Sequence, residues 1–76
     1  MPKLPVVSGD HAVKAFQRLG YVQVRQRGSH IRLQHPSDSR RQPLTIPRHR
    51  ELGRGLLRKL LRDSSLTLEA FIHLLA

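Results

Sequence analysis

Five histidines and no cysteine set the chemistry open to this 76-residue chain. Without a thiolate it can build neither a disulfide nor a cysteine-ligated zinc site. No two histidines sit at i and i+4 around a helical glutamate, so zinc hydrolysis has no motif. Asp10, Asp38, Glu51, Asp63 and Glu69 are scattered, whereas two-metal phosphodiester chemistry needs clustered carboxylates. An ordered Ser-His-Asp set and a glycine-rich phosphate loop are both missing. The expectation is therefore a site with no metal and no cofactor.

What remains is one histidine set among arginines, in Arg25-Gln26-Arg27-Gly28-Ser29-His30-Ile31-Arg32. A neutral imidazole is suited to taking a proton near pH 7. In RNA the 2′-hydroxyl can attack its own neighbouring phosphate once a base removes its proton, and DNA lacks that hydroxyl. Arginine contacts phosphate bidentately and stabilises charge gathering on the phosphoryl oxygens. Flanking guanidiniums would also disfavour an imidazolium and so keep the ring a base. These residue types point to His30 as the catalytic residue of a metal-independent RNA cleavage, with Arg25, Arg27 and Arg32 binding the RNA. Arg48 and His49, in Ile46-Pro47-Arg48-His49-Arg50, extend the RNA-binding set. His49 either orients RNA or bonds the backbone. His11 and His73 fall at helix surface or cap positions, and His35 at a strand end has a structural role.

The elements that must position these groups follow from periodicity. Ser8 can cap a helix over about residues 9–19, with Ala12, Val13, Phe16 and Leu19 at helical spacing and Gly20 just past its end. From Tyr21 to His35 the period becomes two, which predicts two strands joined at Gly28-Ser29, and glycine in the first loop position suits a type II′ turn. Gly28 and Ser29 thus shape the turn that supports the site. A two-residue loop sets Arg27 opposite His30, Gln26 opposite Ile31, Arg25 opposite Arg32, Val24 opposite Leu33 and Gln23 opposite Gln34. That register predicts one face of Val22, Val24, Ile31 and Leu33 covered by helices. The open face then carries Tyr21, Gln23, Arg25, Arg27, His30, Arg32 and Gln34. Like charges at Arg25 and Arg32 either hold a phosphate or splay into water.

Pro36 to Gln42 collects turn formers, and Pro43-Leu44-Thr45-Ile46-Pro47 reads as a short edge strand bracketed by prolines. Leu56, Leu57, Leu60 and Leu61 mark a helix over about 54–63, and Thr67 caps a last one containing Leu68, Phe71, Ile72 and Leu75. The leucine stripes read as core or partner contacts.

Fourteen lysines and arginines, eleven of them arginine, stand against five acids, a formal charge of +9. Such a field attracts polyanions, nucleic acid first. Nothing approaches the roughly 18 consecutive apolar residues of a membrane span, and the proline-broken first seven residues do not resemble a signal peptide. The chain reads as soluble and cytoplasmic, with no membrane partner.

Several segments in order carry a family resemblance: Leu4-Pro5-Val6-Val7-Ser8-Gly9, Leu19-Gly20-Tyr21, Gly28-Ser29-His30, His35-Pro36 and Thr45-Ile46-Pro47-Arg48-His49. Gly55 to Asp63 and Leu66-Thr67-Leu68-Glu69-Ala70-Phe71 continue it. Together they resemble HicA, the toxin half of the HicA–HicB toxin-antitoxin systems. The resemblance covers nearly the whole chain, read as one HicA-like domain over residues 1–76. It implies an α+β fold similar to the double-stranded-RNA-binding domain, with helices on one face of a three-stranded antiparallel sheet. It further implies metal-independent cleavage of messenger RNA, inhibition of translation and growth, and neutralisation by a HicB-type antitoxin, and it places the family's catalytic histidine on His30. Two other readings fit the charge. One is a non-catalytic RNA-binding module of the same fold, and the other a subunit whose basic surface serves an acidic protein.

Overall fold

The computed structural model describes residues 3–76. In chain order the elements are α1 (Gly9–Arg18), β1 (Val22–Arg27), β2 (His30–Gln34), β3 (Leu44–Pro47), α2 (Arg54–Asp63) and α3 (Leu68–Leu75). The strands form one antiparallel sheet in the order β1-β2-β3, so β1 and β3 are both edges. This is the α+β arrangement expected, with the helices on one face of the sheet and the last helical part split in two.

Local chemistry explains the boundaries. The Ser8 hydroxyl accepts from the His11 backbone N–H at 3.0 Å and starts α1, and Thr67 does the same for α3 from Ala70 at 3.1 Å. Gly20, with φ 114°, turns the chain out of α1, and a Cβ there would lie 2.6 Å from His35 Nε2. Gly28 has φ 55° while Ser29 keeps a negative φ, the sign pattern of the expected type II′ turn.

The register departs from simple alternation. Arg27 pairs with His30, Gln26 with Ile31 and Arg25 with Arg32 as expected, but Gln23 then faces Leu33 and Val22 faces Gln34, with a bulge between Gln23 and Arg25. The expected pairs Val24 with Leu33 and Gln23 with Gln34 are therefore wrong. One inserted residue flips everything before it to the other face. Val22 and Val24, expected under the helices, are 45% and 48% exposed, while Tyr21, expected on the open face, is buried.

Burial of the tyrosine accounts for the flip. Its ring packs edge-on against Phe16, centroids 5.8 Å apart, and against His35 at 5.2 Å, and its hydroxyl donates to the Gln42 carbonyl at 2.8 Å. An aromatic ring buries roughly 150–250 Å², so seating Tyr21 outweighs covering two valines on an edge strand.

The core gathers Val13, Phe16, Ile31, Leu33, Leu44, Ile46, Leu57, Leu60 and Phe71, among others. Phe16 and Phe71 meet at 5.3 Å and join α1 to α3. Basic groups on α1 close the far end of α3, where His11 Nε2 bonds the Leu75 carbonyl at 3.0 Å and Arg18 donates to that of Leu74 at 2.7 Å. The connection from 36 to 43 is docked as well, because Arg41 donates to the Ser64 carbonyl and the Gln42 N–H to that of Asp63 at the end of α2. No helix among the described residues is long and apolar enough to cross a membrane.

Candidate functional site

His30 opens β2 immediately after the hairpin turn, and the end of β3 and the start of α1 brace that point. The Arg48 N–H donates to the Ser29 carbonyl at 2.7 Å, tying the end of β3 to the turn. The Gly9 N–H donates to the His49 carbonyl at 2.9 Å, tying the start of α1 to the same end. The approach at Gly9 is so close that a Cβ would stand 1.9 Å from the Pro47 oxygen, so only glycine fits. The backbone beneath His30 is thus fixed from both the sheet and the helix layer.

Pairing places His30 beside Arg27, and Arg32 between Arg25 and Thr45, on the sheet face away from the helices. Arg32 Nη1 donates to Thr45 Oγ1 at 2.8 Å, which steadies one guanidinium on that face. His30, Arg25 and Arg27 are exposed. Asp10, Asp38 and Asp63 take part in ion pairs with Arg48, with Arg40 and Arg41, and with Lys59 and Arg62. None of the ion pairs among the described residues involves Arg25, Arg27 or Arg32. An exposed imidazole therefore stands beside arginines that take part in no ion pair among the described residues, an arrangement that can receive a phosphodiester and take a proton beside it.

The other expected site residues lie elsewhere. Arg48 points to the helix layer, where Nε and Nη2 donate to the two Asp10 carboxylate oxygens at 2.9 and 3.1 Å. This bidentate bond holds the Asp10 carboxyl below its ordinary range and raises Arg48. His49 is exposed, and its carbonyl holds α1. His35 is structural as expected: Nε2 meets the Leu19 carbonyl at 3.1 Å, and Nδ1 faces the Asp38 N–H at 3.0 Å. Tyr21 serves the core, and burial pushes its phenol up to about 12.

Reading the sequence missed Asp10 and the glutamines of β1. With the bulge in place, Gln23 and Gln26 fall in the helix-side row opposite Leu33 and Ile31. They line a groove with Asp10, Val13, Lys14, Gln17, Ile31 and Arg48. An acid in the first turn of α1 was the only available signal for the first; the expected pairing of Gln26 with Ile31 already set that glutamine in the helix-side row, whereas the bulge hid Gln23. Among the described residues no group of three or more histidines and acids could hold a metal ion.

Residues 9–66 match the family model of the HicA toxin of bacterial toxin-antitoxin systems. The chain belongs to the HicA toxin family. The matched span contains α1, the whole sheet and α2, and therefore the Gly28-Ser29-His30 turn, Arg48 and His49. The last helix, α3, lies beyond it. No curated protein matches the chain at a significant level.

Proposed function

We propose that this HicA family member is an endoribonuclease toxin that cleaves messenger RNA with His30 as general base. The observation that carries the reading is the exposed imidazole on a braced hairpin, flanked on one sheet face by arginines outside every ion pair among the described residues. RNA lies with a phosphate against Arg25, Arg27 and Arg32. The imidazole takes the proton of the 2′-hydroxyl, whose oxygen attacks the adjacent phosphorus. The bond to the 5′ oxygen breaks, that oxygen takes up a proton, and the products are a 2′,3′-cyclic phosphate and a 5′-hydroxyl end. The guanidiniums carry the charge that builds on the phosphoryl oxygens. A HicB-type antitoxin neutralises the toxin by covering this cationic face, which an acidic surface complements.

Incubating wild type and His30→Ala with RNA and matched DNA in EDTA tests the reading. Cleavage of RNA alone, with cyclic phosphate ends and at least a hundredfold loss in the variant, is expected. Intact RNA with folded wild type, or full activity in the variant, sinks it in favour of a binding module.

A further inference from the structure

The groove between α1 and the helix side of β1 has no part in the chemistry at His30, yet its lining is unlike the rest of that layer. Along the helix-side rows, β2 and β3 present Ile31, Leu33, Leu44 and Ile46, all buried, whereas β1 presents Gln23 and Gln26, both exposed. The helices cover β2 and β3 and leave β1 overhanging. Beneath the overhang is a cavity of about 310 Å³.

We propose that this groove is a nucleobase subsite, which takes one unstacked base of an RNA strand whose phosphate lies on the His30 face. The proposal rests on the RNA-cleaving reading for its ligand class. The volume lies at the small end of ligand pockets, which span roughly 300–1,000 Å³. Its floor is apolar, from Val13 and Ile31, and suits the face of a base. Its rim carries Gln17, Gln23 and Gln26, whose amides each offer donors and an acceptor to a base edge. Arg48, fixed by Asp10 through two hydrogen bonds, supplies a guanidinium plane of set orientation, the kind on which unpaired RNA bases stack. Lys14 adds a cation at the same rim.

The two faces are one residue apart along the chain. Gln26 precedes Arg27, and Ile31 follows His30. Because β1 is an edge strand with no strand beyond it, a nucleotide can reach around it, phosphate above and base below. The arginine face reads the backbone and the groove reads the base, so the cleavage site has a base preference set by β1 and α1.

The test uses binding, which does not depend on turnover. The full chain carrying His30→Ala is titrated with hexaribonucleotides of A, C or U and with an abasic hexamer, followed by NMR of the glutamine side-chain amides. The Gln17 and Gln23 amides should shift with base-bearing oligomers and stay in place with the abasic one, and affinities for the best and worst base should differ roughly fivefold or more. Adding Gln17→Ala and Gln23→Ala should collapse that ratio to below about twofold. Both side chains are exposed, which keeps the fold intact, whereas Gln26 is left alone because its Nε2 donates to the Gly28 carbonyl at 2.9 Å and shapes the turn. Equal shifts with the abasic oligomer, or a base ratio unchanged by the two substitutions, overturn the subsite. Either result is independent of the nuclease assay, so the subsite and the cleavage reading can fail separately.

Discussion

The sheet has two edges, and the helix layer treats them differently. On β3, Leu44, Ile46 and Pro47 are buried and only Thr45 looks out. On β1 all six residues from Val22 to Arg27 are exposed. The edge that carries the packing also carries the anchors of the His30 turn, through Arg48 and Ser29 and through Pro47 against Gly9. The bare edge contributes no buried residue and carries Arg25, Arg27 and the groove glutamines. In a domain this small, little surface can be spared from the core. The division lets one edge hold the fold while the other remains free for a ligand.

Replacing one apolar residue of the covered strands and one of the bare edge gives the largest expected contrast. Leu33 is fully buried in β2, and Leu33→Ala should lower unfolding free energy by about 2–5 kcal/mol. Against a total of roughly 4–11 kcal/mol for a chain of this length, that change can unfold much of the population. Val24, 48% exposed at the bulge, should lose no more than about 0.5 kcal/mol as Val24→Ala. Urea midpoints at constant slope measure both. Equal losses at the two positions would mean that β1 is packed after all.

This contrast also shows where sequence patterns mislead. Helix α1, the turn at Gly28, the edge position of β3 and the division between α2 and α3 were all legible, because caps, glycines and prolines act locally. The row of cations around His30 was legible too, since the pairs nearest the turn are fixed by loop length. Val22 and Val24 were not. Their alternation with Gln23 and Arg25 fits a half-buried strand, and only the demand of Tyr21 for a place beside Phe16 reveals the bulge. That demand is tertiary, and so is the Asp10–Arg48 bond, which joins residues 38 apart.

Tyr21 permits a second way to sharpen the comparison, since its burial is what displaces the valines. Its phenol titrates at 10.0 ordinarily and is pushed up to about 12 here, chiefly by burial. A raised value favours the neutral, protonated form in the folded state, so the associated stability is complete below pH 10 and is lost as pH rises from 10 through 12. The loss should approach roughly 2–3 kcal/mol. Tyr21→Phe should abolish this alkaline phase and cost about 1 kcal/mol at neutral pH through the missing bond to Gln42. Denaturant titrations of both proteins at pH 8 and pH 11.5 check it, and an identical alkaline loss in the variant would locate the titrating group elsewhere.

The smallest effect belongs to the ion pair that borders both regions. Asp10 and Arg48 are about half exposed, so Asp10→Asn should leave the urea midpoint almost unchanged. Its consequence is local. Arg48 meets the Ser29 turn through its backbone and the groove through its side chain, and releasing the guanidinium loosens both. Hydrogen exchange at the Arg48 N–H should quicken in Asp10→Asn relative to an amide of β2 such as that of Leu33. The hydrogen bond from Arg48 holds the Asp10 carboxyl below its ordinary 3.8, so the restraint is complete above that pH and fades as pH falls through the lower, folded value. Wild type at a pH below that lowered value should therefore come to exchange like the variant at this one amide while the core amides stay protected. Matching protection at Arg48 in both proteins at neutral pH would show that the backbone bonds alone hold the turn, and that Asp10 serves only to aim the guanidinium into the groove.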